Sequence, residues 1–346
     1  VFLITESEAI TYNYERNPAD AHIAHSLNTV IDAYGNILES AAVVYGRNAD
    51  IIVDLPADLE KDRNLIESEQ RKIHIIYSKN NITNAIEEDY AYRLPVPYEN
   101  ISYELTGASP IVKYFSPDEV KNLFESGVEI AYEIIADGSL QIRKTEHDQI
   151  LFLGDDATTV LPHGSIESLA LGHESYKLAF TTSIIKDAFG ELEMDSALTE
   201  AKYFHFEDVN EFWIRSGTAV FPADAANHFY TPDKYIDPLG SETKITFYAD
   251  YHLMIQTTEN AMGNTVKVET FDFRTLAPKK MMDINGSSSE VSIDLLGFIV
   301  GMAVYGKMGE GDNLDGFKTN LSQDEIDDYF NDPESQALTL LGNATS

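Results

Sequence analysis

The sequence predicts a mainly β protein, an elongated curved antiparallel sheet of stacked β-hairpins with a few short helices. Three observations carry that expectation. Tyr (19) and Phe (17) supply every aromatic except Trp213. With β-branched residues they cluster in short runs bounded by Gly, Asn and Asp, the composition of pleated, half-buried strands. Glycines recur at 240, 263 and 286, a constant spacing of 23 residues. Strong helix-start signals are confined to two short stretches.

Near the start, Ser26–Ile31 and Ile37–Tyr45 read as strands joined by the turn Asp32-Ala33-Tyr34-Gly35-Asn36, with Gly35 or Asn36 at positive φ. Ile51-Ile52-Val53 and Ile73-His74-Ile75-Ile76-Tyr77 are further strand runs. Ser116-Pro117-Asp118-Glu119 is a capping box with Pro at the first helical position. Val120, Leu123 and Phe124 follow at helical spacing and Gly127 ends the segment. Ser322-Gln323-Asp324-Glu325 repeats the device, with Ile326, Tyr329 and Phe330 behind it and Pro333 as the stop. Residues 183–189 and 195–202 are weaker helix candidates. These signals divide the chain into a β-rich region 1–110, a mixed region 111–205 and a repeat array 206–346 ending in a short helix.

The repeat is the most informative feature. Asp237-Pro238-Leu239-Gly240, Glu259–Asn264 and Asp283-Ile284-Asn285-Gly286 each precede an alternating run: Thr243–Phe247, Thr265–Glu269 and Ser289–Ile293. An aromatic or apolar residue with Asp nearby closes each run: Phe247 with Asp250, Phe271 with Asp272, Ile293 with Asp294. Second strands follow at His252–Thr257, Thr275–Met281 and Phe298–Val304. Each unit reads as a hairpin with a glycine at positive φ and an Asp accepting from the turn backbone. One hairpin cannot bury its apolar face alone, so a constant period predicts hairpins stacked edge to edge. Met281-Met282 and the run from Phe298 to Val304 fit either core strand or a partner interface, and core is the favoured reading.

Net charge is −34, with −4 over residues 231–310, −7 over 311–346 and the remainder in the first 230. Such a field repels phosphate, so nucleic acid and anionic membrane surfaces are poor partners. Lys279-Lys280 is too small for a nucleic-acid patch. No apolar run reaches the length of a membrane-spanning helix. The absence of cysteine excludes disulfides, thiolate metal sites and cysteine nucleophiles. Val1 is not a start methionine, which suggests a fragment whose export signal is not visible.

Candidate chemistry is thin. His22 and His25, three apart with Asp20 nearby, could ligate a metal as two His and a carboxylate, yet a full first shell at motif spacing is missing. His147-Asp148 and His173-Glu174 are neighbours that strands would point to opposite faces. Asp155-Asp156 and Glu87-Glu88-Asp89 could pair carboxylates for glycoside hydrolysis, but acids are abundant here. Asp312-Asn313-Leu314-Asp315-Gly316 lacks the ligand spacing of a calcium loop and reads as a turn. Ser165 and Ser216 lie outside any nucleophile elbow. No catalytic, cofactor-binding or metal residue is assigned, no cofactor is expected, and the expectation is a non-enzyme.

The glycine-spaced units resemble the YD (RHS) repeat, with Ser287 and Ile293 as departures in the third unit. Thr11–Asp20, Ile23-Ala24-His25, Asp32–Asn36, Ser40–Arg47, Thr83-Asn84-Ala85-Ile86 and Tyr103–Gly107 resemble, in order, the middle/C-terminal region of insecticidal toxin-complex B subunits of the TcdB/TcaC type. Glu167–Ala170, Glu174–Phe180, Trp213–Gly217 and Gly309–Phe317 continue that collinear set over nearly the whole chain. The resemblance implies a secreted bacterial toxin component that forms part of a hollow β-sheet shell around the cytotoxic C-terminal region of the C subunit. It implies the C subunit as shell partner and cargo, and contact with the pore-forming A subunit through another part of the parent chain. It implies no membrane insertion by this segment, and no catalytic motif carries over. The alternatives are a glycan- or receptor-binding β module using exposed Tyr and Trp213, and a carboxylate hydrolase.

Overall fold

A computed structural model describes residues 3–14, 18–47, 55–190, 194–206, 208–248, 251–307 and 310–345. Ile51–Val53 and Asp250 lie outside the described residues. The chain divides into two compact units, Val1–Ser216 and Gly217–Ser346. Open, mostly antiparallel sheets with a few short helices make up the fold.

The first unit holds strands β1 (Glu8–Asn13), β2 (His22–Ile31), β3 (Ile37–Val44), β4 (His74–Ile82), β5 (Ile86–Glu88), β6 (Ala91–Arg93), β7 (Pro97–Thr106), β8 (Val128–Ile130), β9 (Gln141–Leu153), β10 (Leu171–Thr181) and β11 (Glu211–Arg215). Its helices are α1 (Arg63–Gln70), α2 (Pro117–Ser126), α3 (Thr182–Phe189) and α4 (Asp195–Glu200). Its main sheet runs β1-β2-β3-β4-β7-β9-β10-β11, with β8 parallel to β9, and β5 pairs with β6 apart from it. Strands 141–153 and 171–181 of the sequence's mixed region thus share one sheet with the N-terminal strands, and β11 extends it.

Period-two alternation explains the core. Register sets Ile10 opposite His25, His25 opposite Val43, Val43 opposite Ile75, Ile75 opposite Leu105 and Leu105 opposite Ile142. A second row runs Leu27, Ala41, Tyr77, Tyr103. Directly opposed residues share a face, so both rows face one side. Helix α2 covers that side through buried Val120 and Phe124, and the Phe124 ring stacks on Tyr77 with centroids 4.0 Å apart. Its start is the predicted capping box: Ser116 Oγ accepts from the Glu119 amide at 3.3 Å, and the Glu119 carboxylate accepts from the Ser116 amide at 3.4 Å. Fully burying each such aliphatic side chain contributes about 1.5–3 kcal/mol. A smaller cluster of Ile185, Leu198 and Phe212 sits where α3 and α4 meet β10 and β11.

The second unit is an eight-stranded meander: β12 (Thr218–Val220), β13 (Lys234–Ile236), β14 (Glu242–Tyr248), β15 (Tyr251–Glu259), β16 (Thr265–Asp272), β17 (Ala277–Met282), β18 (Ser288–Ile293) and β19 (Ile299–Tyr305). Each strand pairs antiparallel with the next. The predicted hairpin strands fall within or beside these spans. Two helices follow, α5 (Gln323–Asn331) and α6 (Pro333–Leu341). Pro333 was expected only as a stop. It also opens α6 as the first helical residue, with Asp332 accepting from the Ser335 amide at 3.4 Å. A proline ends one helix and starts another equally well, because its missing N–H falls among the unpaired donors of a first turn.

The three repeat glycines share one backbone setting. Gly240, Gly263 and Gly286 stand at φ 89°, 78° and 80°. The Asp237, Asn260 and Asp283 side chains each accept the amides two and four residues on: Leu239 and Ser241, Met262 and Asn264, Asn285 and Ser287, all at 2.7–3.0 Å. The hydrogen bond from the Ser241 amide leads the set that holds the Asp237 carboxyl below its usual range. Asp32 builds the same turn in the first unit, with Gly35 at φ 90°.

A Cβ at Gly240 or Gly286 would meet no heavy atom within 4 Å, so only the left-handed backbone opposes alanine there. Gly240→Ala and Gly286→Ala are each expected to cost about 1–2 kcal/mol. Asp237→Ala and Asp283→Ala are each expected to cost about 0.5–1.5 kcal/mol through the lost turn hydrogen bonds. Urea titration followed by circular dichroism measures these values, and equivalent turns give matching losses.

Candidate functional site

The repeat sheet buries little of itself. Register pairs Val268 with Met281, Met281 with Ser289, Ser289 with Val304, and Val291 with Met302. Val266 stands two residues before Val268, so these side chains form one apolar face. Val268 is buried, but Met281 is 37 %, Val304 55 % and Met302 63 % exposed. Leu253, Ile255, Phe271, Leu276 and Pro278 join Val266 and Met281 around an open concavity of about 370 Å³. The favoured reading of Met281 and of Phe298–Val304 as core is therefore corrected. Phe298, Ile299, Val300, Met302 and Val304 are exposed, and within that run Ala303 alone is buried. The cause is geometric: a meander covers the edges of its strands, and cover for a face must come from another layer.

The opposite face is polar. Lys280 binds Glu269 at 3.2 Å and lies 5.0 Å over the Tyr305 ring, so this member of the Lys279-Lys280 doublet serves the sheet. Tyr305 donates to Glu290, and burial with that bond pushes its phenol up to about 12. Gly301 lies under the Phe317 ring, which a Cβ would meet at 2.8 Å. A member of the turn series that the 23-residue spacing did not reveal closes β18 onto β19. Asp294 accepts from Leu296 at 2.9 Å and Phe298 at 2.8 Å, with Gly297 at φ 94°. Its signal was the Asp-x-x-Gly pattern itself, eleven residues after Gly286.

The singled-out titratable residues are spread through the fold. His25 is buried in the sheet, with Nδ1 3.0 Å from the Tyr45 hydroxyl and Nε2 3.2 Å from Glu8. Tyr45 in turn accepts from the Phe115 amide at 2.9 Å. His22, three residues away on the same strand, meets the Arg47 guanidinium, whose Nε donates to Asp20 at 2.7 Å. The two histidines do not converge, and a guanidinium occupies the position a cation would need. Among the described residues no three His, Asp or Glu side chains are grouped to hold a metal.

His147 Nε2 lies 2.7 Å from Glu99, while Asp148 turns the other way toward Lys177 at 3.8 Å. Glu174 accepts from Tyr176 at 2.6 Å. Asp155 accepts from Ser168 and from the Leu169 amide, and Asp156 from Thr158 and Thr159, so both carboxylates brace loops. Glu87 accepts from Tyr34 at 2.9 Å. Ser216 Oγ accepts from the Ser175 amide at 3.0 Å, and the Ser165 amide closes a turn onto Pro162. Asn313 pairs with Thr345 and accepts from the Asp315 amide at 3.0 Å, making Asp312–Gly316 a turn. Trp213 is 2 % exposed, with its ring against His147 and Phe206.

Open antiparallel sheets, a reiterated turn and an exposed apolar face define a mainly β fold built from repeated hairpins. Residues 1–95 match the family described as insecticide toxin TcdB middle/C-terminal region. The resemblance to a toxin-complex B-subunit middle/C-terminal region therefore holds. The fold is similar to a crystal structure of TcdB2-TccC3, at 19 % identity and TM-score 0.56 over 92 % of this chain and 15 % of that one. It is also similar to a Photorhabdus luminescens Tc holotoxin pore carrying a TccC3 mutation, at 19 % identity and TM-score 0.57 over 92 % of this chain and 14 % of that one. A TcdB2-TccC3 structure without its hypervariable C-terminal region matches at 18 % identity and TM-score 0.55, over 94 % of this chain and 15 % of that one. The chain thus spans about one-seventh of the solved chains it matches. No curated protein matches the sequence.

The His147–Glu99 pair yields a pH prediction. The hydrogen bond from His147, joined by those from Asn81 and Gln149, outweighs burial and holds the Glu99 carboxyl at about 2, against 4.5 ordinarily. A depressed carboxyl adds stability above its unfolded value and loses it as pH falls through the folded one. Glu99→Gln is therefore expected to lower stability most near neutrality. Its deficit relative to the unsubstituted chain should close between pH 4.5 and about 2 in denaturation curves.

Proposed function

We propose that this chain is a non-enzymatic wall segment of a secreted toxin-complex B subunit, whose RHS/YD-type sheet helps enclose the cytotoxic region of a C subunit. The observation that carries this reading is the second unit's open meander, which leaves Leu253, Ile255, Met281, Met302 and Val304 bare on one face. A contiguous apolar face of this kind is the mark of a surface that functions against something else. Shell assembly supplies such cover, and beyond the Tyr305–Gly311 bridge the last strand of the sheet, β19, leaves an edge that a neighbouring wall strand can extend. The A subunit, on this reading, is met through another part of the parent chain.

Other classes find less support. Among the described residues no helix is long and apolar enough to cross a membrane. The net charge of −34 disfavours nucleic acid. A glycan module would have used Trp213 as its surface anchor, and that ring is buried. The carboxylates weighed for hydrolysis are engaged in separate turns and loops.

Electron microscopy of the full-length parent with its C partner tests the proposal. The expected result is a hollow particle with the 217–346 sheet in its wall. Met302→Asp with Val304→Asp is expected to reduce particle yield while the uncombined parent keeps its melting temperature. A solid or unassociated particle, or undiminished assembly by the double variant, contradicts the reading.

A further inference from the structure

We propose that Asn285–Gly286 is a self-modification site whose conversion to isoaspartate opens the β17–β18 turn. Five equivalent turns differ at the residue before their glycine. The residue before the glycine is Tyr34, Leu239, Met262 and Leu296 in four of them and Asn285 in the fifth. Asn285 is also the one asparagine of the chain followed by glycine; Asn28, Asn81, Asn100 and Asn264 precede β-branched residues that crowd the following backbone nitrogen.

The chemistry is intramolecular. The Gly286 backbone nitrogen attacks the Asn285 side-chain carbonyl carbon. The new carbon–nitrogen bond closes a five-membered succinimide, the amide leaves as ammonia, and the Gly286 nitrogen gives up its proton to solvent base. Water then opens the ring at either carbonyl, giving aspartate or isoaspartate. No oxidant or enzyme is required.

The fold leaves the pair accessible. Ile284, Asn285 and Gly286 are exposed, and no heavy atom lies within 4 Å of where a Gly286 Cβ would be. Glycine freedom at φ 80° lets the nitrogen approach without the penalty a side chain would add. The Gly286 N–H donates to the Asp283 carbonyl at 3.1 Å, so attack requires release of that one turn hydrogen bond. Isoaspartate inserts a methylene into the main chain between the two amides that Asp283 Oδ1 holds, Asn285 at 2.9 Å and Ser287 at 2.8 Å. The turn then no longer fits the Met282–Ser288 register.

Folded full-length chain is aged in mildly alkaline and in mildly acidic buffer, then digested with trypsin. The peptide 281–307 has Asn285 as its single asparagine, so the mass gain of amide-to-acid conversion there is unambiguous. The expected result is conversion of that peptide ahead of all others, faster in alkali, with an isoaspartyl product labelled by isoaspartyl methyltransferase. Hydrogen exchange at β17 and β18 should rise with conversion, and Asn285→Leu, which installs the residue of the equivalent turns, should block both changes. Retention of the Asn285 amide in the folded chain, whether or not urea-unfolded chain converts, overturns the proposal. Conversion that leaves β17–β18 exchange unchanged overturns the turn-opening step.

Discussion

The second unit depends on one local constraint: a turn in which glycine takes positive φ while an Asp or Asn side chain satisfies two backbone amides. Gly240, Gly263, Gly286 and Gly297 meet it with φ between 78° and 94°. A residue with a side chain is penalised there, and an unpaired amide costs more than a made hydrogen bond gains. The turn therefore selects its sequence, and recurrence of the turn sets the strand length. Strand length sets register, and register gathers Val266, Val268, Met281, Met302 and Val304 on one face. The proposed function rests on that face, so the chain of cause runs from a dihedral angle to an exposed apolar surface.

The two units solve burial differently. In the first, helix α2 lies on the sheet and seals the rows through Leu27, Val43, Ile75, Tyr77 and Leu105. In the second, no helix among the described residues buries the apolar face in the same way, and buried side chains are few. On the proposed reading, such a sheet gains its missing layer on assembly. That makes its stability within a complex a property of its partners as well as of its own contacts.

Much of the fold was legible because its signals are local. Ser116 to Glu119, Ser322 to Glu325, Asp32 to Asn36 and the repeat turns each settle their geometry within five residues, and each formed as read. Face assignment was not legible. The apolar run through Val304 reads the same whether a layer lies above it or not, and only register against β18 shows its exposure. Long-range polar pairs were equally silent: Glu99 and His147 are 48 residues apart, and Tyr45 meets Phe115 across 70. The Asp294 turn was hidden by its spacing, because β18 and β19 close after eleven residues where the earlier glycines stood 23 apart.

The equivalence of the repeat units is tested most directly by excising one. Deleting residues 260–282 removes a whole 23-residue period and joins Glu259 to Asp283, so the next turn takes over the vacated place with register intact. The account predicts a chain that still unfolds cooperatively, with a shorter sheet and lower stability. Deleting 260–271 instead removes half a period and should unfold the second unit. Equal damage from the two deletions would contradict the account, because the hairpins would then not be interchangeable units of one ladder.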